Sequence, residues 1–154
     1  MGRTARGCQD IHVLYLPVAN TLNDISQSRD AAFAAAYTHL ASITRTEFVI
    51  AMVVLNRVLA VTKQLSVSLQ QVNKDLAKCL TEVEQQADLL RKMHEDSASG
   101  FAAVTQETET LLGKPLQLPR MCGRQCHCDS RVAEDYYRRT IYIPFLDSII
   151  TQFN

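Results

Sequence analysis

The chain has 154 residues, of which 47 % are hydrophobic and 21 % charged, and its 16 basic side chains balance 16 acidic ones. This composition argues against a wholly disordered chain, and the zero net charge excludes a global field that would attract nucleic acid or a membrane surface. Five glycines and four prolines are few for a turn-rich β sandwich. We therefore expect an all-α protein, an irregular bundle of about six helices with a long loop near residues 114–132.

Two apolar patterns predict the first two helices. Residues 11–27 repeat apolar side chains at spacings of three and four, with Pro17 either starting or bending the helix. The predicted buried face of this helix consists of Ile11, Leu14, Val18, Leu22 and Ile25. Asp30 is a suitable cap for an alanine-rich second helix. The apolar face of that second helix consists of Phe33, Tyr37, Leu40 and Ile43.

The third and fourth helices are predicted to form an antiparallel hairpin. Thr44 and Glu47 have the spacing of a capping box, which predicts the start of a third helix that runs to about residue 70. Its first half is apolar nearly all round, as is typical of a central buried helix. Asn73 is a good N-cap for the fourth helix. The narrow apolar seam of that helix consists of Leu76, Leu80, Val83, Ala87 and Leu90.

Residues 94–97 are predicted to end the fourth helix, and a fifth follows until Gly113, with Pro115 two residues on. Residues 114–132 have no helical period, and helical spacing returns over residues 134–153, interrupted by Pro144. We therefore expect a single domain in which a helical bundle (1–113) and an Arg/Cys/Pro-rich loop (114–132) precede a C-terminal helix (133–154) that packs on the bundle.

The N-terminus and the most apolar run bear on localisation. Residues 1–6 lack the apolar stretch of a secretory signal, and Arg6 replaces the Ser or Thr of a myristoylation motif. The run over residues 48–61 contains Asn56 and Arg57 and is shorter than the roughly 20 residues that a bilayer span needs. Five cysteines, an odd number, favour reduced thiols. We expect an intracellular soluble protein without membrane contact.

The loop contains a cluster of metal-ligand residue types: Cys122, Cys126, His127 and Cys128. Thiolates and imidazoles are good zinc ligands, but structural zinc sites usually join ligand pairs that lie far apart in the chain. Three adjacent ligands would strain one tetrahedron, so ordinary loop residues are the favoured interpretation. A Cys–His nucleophile would also need an orienting third group and an oxyanion site, which the sequence does not show. We predict no metal, no cofactor and no enzymatic activity.

A local basic segment lies inside this neutral chain. Residues 110–139 carry six basic and three acidic side chains, a local charge of +3. Arginine matches phosphate oxygens with two parallel hydrogen bonds. The candidates for contact with a DNA backbone are Arg120, Arg124, Arg138 and Arg139. The alternative is that the last two arginines pair with Glu134 and Asp135 one turn back on the same helix.

Several motifs near the C-terminus occur in one order. They are Pro119-Arg120, Gly123-Arg124-Gln125, Glu134-Asp135-Tyr136-Tyr137-Arg138-Arg139 and Ile143-Pro144-Phe145-Leu146-Asp147-Ser148-Ile149-Ile150-Thr151-Gln152-Phe153. This order resembles a stretch of the hAT-superfamily transposases and their domesticated relatives. The similarity is greatest to the group of zinc-finger MYM-type proteins and the THAP-domain repressor of the inhibitor of the protein kinase. In that group a P-R-x3-R-Q loop leads to an E-Y-Y-R-x3-F-I-P-F-L-D helix, and the resemblance extends over about residues 45–153.

The resemblance implies that the chain corresponds mainly to the all-helical insertion within the RNase H-like catalytic domain of such transposases. None of the family's three metal-binding acids can be assigned to a residue here. Val132-Ala133 stands where the family usually has Ser-Pro, and the sequence contains no Trp to match an insertion-domain Trp of some relatives. We therefore expect a nuclear, transposon-derived and catalytically inactive helical fragment that acts as an interaction or weak DNA-contact module. The alternatives are a small zinc-binding protein and a purely structural helical scaffold, and whether the chain is complete stays open.

The C-terminal helix also carries more apolar side chains than one neighbour can cover. Ideal helical spacing spreads them over much more than one face, whereas packing on one neighbour needs only a stripe. The predicted interaction surface consists of Tyr137, Ile141, Phe145, Ile149 and Phe153. Because exposed apolar patches recruit partners, we expect self-association or binding to a longer transposase-like relative through residues 136–153.

Overall fold

The computed structural model describes residues 10–28, 31–71, 75–119 and 132–153, and within these ranges it is helical with no strand. The elements are α1 (Asp10–Gln27), α2 (Phe33–Ile43), α3 (Thr46–Leu69), α4 (Leu76–Glu95), α5 (Ser97–Leu112), α6 (Ala133–Tyr137), a π-helical turn (Arg138–Tyr142) and α7 (Ile143–Gln152). The last three follow one another without a break and are called the C-terminal helix below. The described ranges therefore contain six helices, and the all-α prediction is confirmed.

Helix α3 is the central helix, because its apolar residues recur on one face along most of its length. The buried members of this face are Val49, Ile50, Val53, Val54, Val58 and Leu65. Burying one such side chain contributes about 1.5–3 kcal/mol relative to leaving it in water. Among the described residues α3 is also the one helix that is long and apolar enough to cross a membrane by length and composition. In this fold that apolar face forms the core of the bundle.

The other long helices supply the rest of the core around α3. From α5, Phe101 and Val104 are fully buried, and Leu90 of α4 joins them. The C-terminal helix adds Tyr142 and Leu146, and the ring centroids of Phe101 and Tyr142 lie 5.6 Å apart. Residues far apart in the sequence thus meet on α3, which places the C-terminal helix against α3, α4 and α5.

Two of the predicted helix ends are confirmed. Helix α4 ends at Glu95 and α5 begins at Ser97, as the polar residues 94–97 predicted. Gly113 ends α5 with a φ of 63° and an N–H that donates to the Glu109 carbonyl. Glycine adopts this left-handed conformation without the steric penalty that a Cβ would bring. The first residues of the predicted loop, 114–119, follow without helical structure.

The capping box predicted for α3 is wrong. The Thr44 hydroxyl donates to the Leu40 carbonyl of α2 at 2.7 Å, and Arg45 occupies the N-cap of α3 without a side-chain hydrogen bond. The backbone of Thr44 has φ −87° and ψ 2°, whereas an N-cap residue needs an extended conformation. Only two residues separate the helices, so Thr44 completes the end of α2 instead.

The cap of α4 lies two residues after the predicted one. The Asp75 carboxylate accepts a hydrogen bond from the Ala77 N–H at 3.1 Å, and its backbone is extended, as an N-cap requires. The predicted cap, Asn73, lies outside the described residues. The seam of α4 is buried only in its second half: Ala87 and Leu90 are buried, whereas Leu76 and Leu80 are exposed. The hairpin with α3 therefore packs tightly only away from its turn.

Pro144 does not end the C-terminal helix. Its missing N–H leaves the Thr140 carbonyl without its usual donor, and in a regular α-helix the proline ring would collide with that carbonyl. The helix takes in one extra residue here, because the Ile143 N–H donates to the Arg138 carbonyl five positions back instead of four. A π-helical turn thus absorbs the proline within a continuous helix.

Candidate functional site

Tyr137, assigned to the interaction surface by the sequence pattern, is a core residue. Its side chain is only 1 % exposed, and its single hydroxyl hydrogen is shared between the Gln117 carbonyl at 3.0 Å and a Glu47 carboxylate oxygen at 3.4 Å. Burial raises the pKa of Tyr137 well above its usual range, and the charge of Glu47 adds to the effect. The tyrosine therefore stays protonated and ties the loop after α5 to the start of α3.

The other predicted surface residues of the C-terminal helix are Ile141, Phe145, Ile149 and Phe153, which are half-buried and pack against the core. The π-helical turn contacts α3 and α5, and α7 contacts α4, so less of the stripe is free than the sequence pattern indicated. Their role in binding a partner stays a prediction.

Asp135 neutralises part of the predicted DNA-contact group. Its carboxylate lies 2.6 Å from Nη2 of Arg138 and 3.0 Å from Nε of Arg139. Arg138 also donates to the Oγ of Ser97, which is buried. Pairing one turn back on the same helix is thus observed for Asp135. The remaining loop candidates lie outside the described residues, namely Arg120, Arg124, Cys122, Cys126, His127 and Cys128.

No group of three or more His, Cys, Asp or Glu residues in the described ranges could hold a metal ion. Cys79 on α4 is a half-buried free thiol.

The first two helices carry the most concentrated group of exposed apolar side chains. We name as the α1–α2 surface the side chains of Val13, Leu14, Leu16, Val18, Phe33 and Tyr37, which are 47–71 % exposed. The Phe33 and Tyr37 rings stack on each other with centroids 6.4 Å apart. The prediction that Leu14 and Val18 are buried is wrong. Among the side chains that the structure describes in α1, Tyr15 is the buried one, and its hydroxyl donates to the Ile43 carbonyl at 3.3 Å.

The orientation of α1 about its own axis explains why Leu14 and Val18 are exposed. Helix α1 packs mainly on α2 and touches α3 only lightly, so one narrow side that includes Tyr15 is enough to hold it. Residues 13–18 are nevertheless six consecutive residues without a charged or amide side chain. A helix that is apolar on all sides is typical of one covered from more than one direction. This run places apolar side chains on more than one side of α1, in addition to the face that the periodicity of residues 11–27 indicates.

Comparison of the chain with models of protein families, with curated proteins and with solved structures finds no match. The resemblance to hAT transposases therefore depends on the motifs quoted above.

Proposed function

We propose that this chain is a catalytically inactive helical interaction module, derived from an hAT-type transposase and acting in the nucleus, which binds a second copy of itself through the α1–α2 surface. The observation that carries the interaction role is the exposure of that surface on two helices that pack mainly on each other and only lightly on the rest of the bundle. The motif resemblance supports the transposon origin and the nuclear location.

The size of the α1–α2 surface fits a dimer of ordinary kind. From their exposed fractions, its six side chains present roughly 600 Å² of surface, whereas a standard interface buries about 800 Å² per partner including its polar rim. On a single soluble chain the largest contiguous apolar patch is typically about 300–600 Å² and is often functional. The surface thus supplies part of the apolar centre that such an interface needs, because Leu14 and Val18 lie on a different side of α1 from Val13 and Leu16.

The charge distribution supports a second copy as the occupant. Residues 13–44 contain only three charged side chains, those of Asp24, Arg29 and Asp30, and the centres of protein interfaces are depleted of charge. In a twofold dimer the same patch meets itself, so a patch with few charges can pack against its copy, whereas a strongly charged one repels it. The whole chain is also neutral.

Sedimentation velocity of the full chain over a range of concentrations tests this proposal. We expect wild type to form a dimer, and Leu14→Asp with Val18→Asp to shift it to monomer with an unchanged helical circular dichroism spectrum. The matched control is Leu76→Asp with Leu80→Asp, which places the same charges at the same spacing on exposed positions of α4.

Three outcomes would contradict the proposal. A wild-type chain that stays monomeric at high micromolar concentration removes the self-association. A dimer that resists the α1 double variant but dissociates in Ile149→Asp with Phe153→Asp assigns the interface to the C-terminal helix. A dimer that dissociates in the α4 control assigns it to the turn of the α3–α4 hairpin.

A further inference from the structure

A cleft of about 460 Å³ opens between α3, α4 and α5, away from the α1–α2 surface. One wall is apolar and consists of Val61 of α3 with Leu89 and Met93 of α4. Tyr142 of the C-terminal helix lies at the other side, near Gly100 of α5. An apolar wall with a few polar groups at one end is typical of a small-ligand site.

Tyr142 is the unusual group of this cleft. The residue is 2 % exposed, yet its hydroxyl makes no hydrogen bond to any residue that the structure describes. A Cβ placed on Gly100 would lie 3.0 Å from the hydroxyl oxygen, so the glycine leaves room for the tyrosine to reach the cleft. Because this hydroxyl has no protein partner among the described residues, it is available to donate a hydrogen bond to a ligand in the cleft.

The groups around Tyr142 are hydrogen-bond donors. Arg57 is held by Glu107, with Nη2 and Oε2 2.9 Å apart, and by the Ala103 carbonyl at 3.2 Å. These contacts use Nε and Nη2 and leave Nη1 unengaged. Lys92 lines the cleft as well and makes no ion pair with any described residue. Arg57 and Lys92 therefore supply two cationic donors to the lining of the cleft that contains the phenol.

The balance of charge decides which ligand head group fits. Burial raises the pKa of Tyr142, and the nearby Arg57 only partly opposes this, so the phenol is protonated and donates at neutral pH. Asp96 is the one acidic residue among those lining the cleft. Arg57 and Lys92 can only donate hydrogen bonds, and the protonated Tyr142 phenol is mainly a donor. These three groups therefore favour a ligand that accepts hydrogen bonds, such as a carboxylate.

We propose that this cleft binds a small carboxylate that carries an aromatic or aliphatic group, with the carboxylate on Tyr142, Arg57 and Lys92 and the apolar group on Val61, Leu89 and Met93. The site is independent of the proposed self-association, since it uses no residue of the α1–α2 surface.

Titration of the full-length ¹⁵N-labelled chain with 2-naphthoate, followed by NMR, tests the site, with 2-naphthamide as the uncharged probe. We expect saturable shifts at residues of the cleft and at least about tenfold tighter binding of the carboxylate than of the amide, as for a charge-assisted hydrogen bond. Equal affinity for the two probes, or shifts spread over the surface without saturation, would overturn the proposal. So would the absence of any shift in the cleft, which would assign the Tyr142 hydroxyl to bound water only.

Matched variants locate the site. Tyr142→Phe removes only the hydroxyl and is expected to weaken naphthoate binding about tenfold, whereas Tyr136→Phe on the same helix leaves it unchanged. Lys92→Gln is expected to weaken binding, whereas Arg91→Gln does not, because Arg91 pairs with Asp88 at 2.8 Å instead of lining the cleft. If Tyr142→Phe and Tyr136→Phe bind naphthoate equally, while both keep the wild-type circular dichroism spectrum, the assignment is wrong.

Discussion

Thr108 offers a test of how the core is built. It continues the buried stripe of α5 after Phe101 and Val104 and is 0 % exposed. Its Oγ1 is buried without a hydrogen-bond partner, although a helical threonine commonly donates to the carbonyl four residues back. Replacing Thr108 with Val exchanges this hydroxyl for a methyl group of nearly the same size.

The expected size of the effect follows from that burial. A buried polar group without a partner costs about 1–3 kcal/mol, and the added methyl gains the transfer energy of one more apolar group. We therefore expect Thr108→Val to raise the free energy of unfolding by about 1–2 kcal/mol. For a chain of this size, 1 kcal/mol corresponds to roughly 2–4 °C in Tm.

Urea and thermal unfolding followed by circular dichroism measure this difference, and an unchanged m-value shows that the same transition is compared. The matched control is Thr110→Val, on the same helix but exposed, where the hydroxyl donates to the Gln106 carbonyl at 2.8 Å. We expect the control to change stability by less than about 0.5 kcal/mol. A Thr108→Val variant no more stable than wild type would refute the reasoning and indicate that the hydroxyl has a partner.

Two further predictions concern the C-terminal helix. At pH values above 10.0, its ordinary pKa, Tyr137 loses its proton more readily in the unfolded chain than in the folded one. The free energy of unfolding should therefore fall as the pH rises beyond about 10. Tyr137→Phe should lower the free energy of unfolding by about 1 kcal/mol at neutral pH. In urea unfolding at a series of pH values, its stability should also fall less steeply above pH 10 than that of wild type, and an equally steep fall would contradict this. For duplex DNA we expect weak binding with a log–log salt slope of about −2 to −3. The double variant Arg138→Gln with Arg139→Gln should change that slope by only about one unit, because Asp135 already pairs with both arginines. An unchanged slope would mean that these arginines have a purely structural role.

Local sequence signals predicted several features correctly because they act within one helical turn. Gly113 ends α5 since a residue without Cβ tolerates the left-handed conformation, and Asp135 pairs with arginines three and four residues ahead. Pro144 predicted an irregularity, but its form was not predictable, because whether a helix stops or widens depends on what holds the segment after the proline. Here the packing of Leu146 in the core keeps the helix continuous.

The tertiary structure alone decided which surfaces are covered. The period of α1 is compatible with several buried faces, and only its packing on α2 and on the core around α3 selects Tyr15 and leaves Leu14 exposed. Likewise, Arg57 meets Glu107 fifty residues away, and Tyr142 reaches the cleft beside Gly100, through contacts that no local pattern specifies. Periodicity determines that a helix has an apolar side, whereas the partner that covers it comes from elsewhere in the chain, because burial is a property of the assembled bundle.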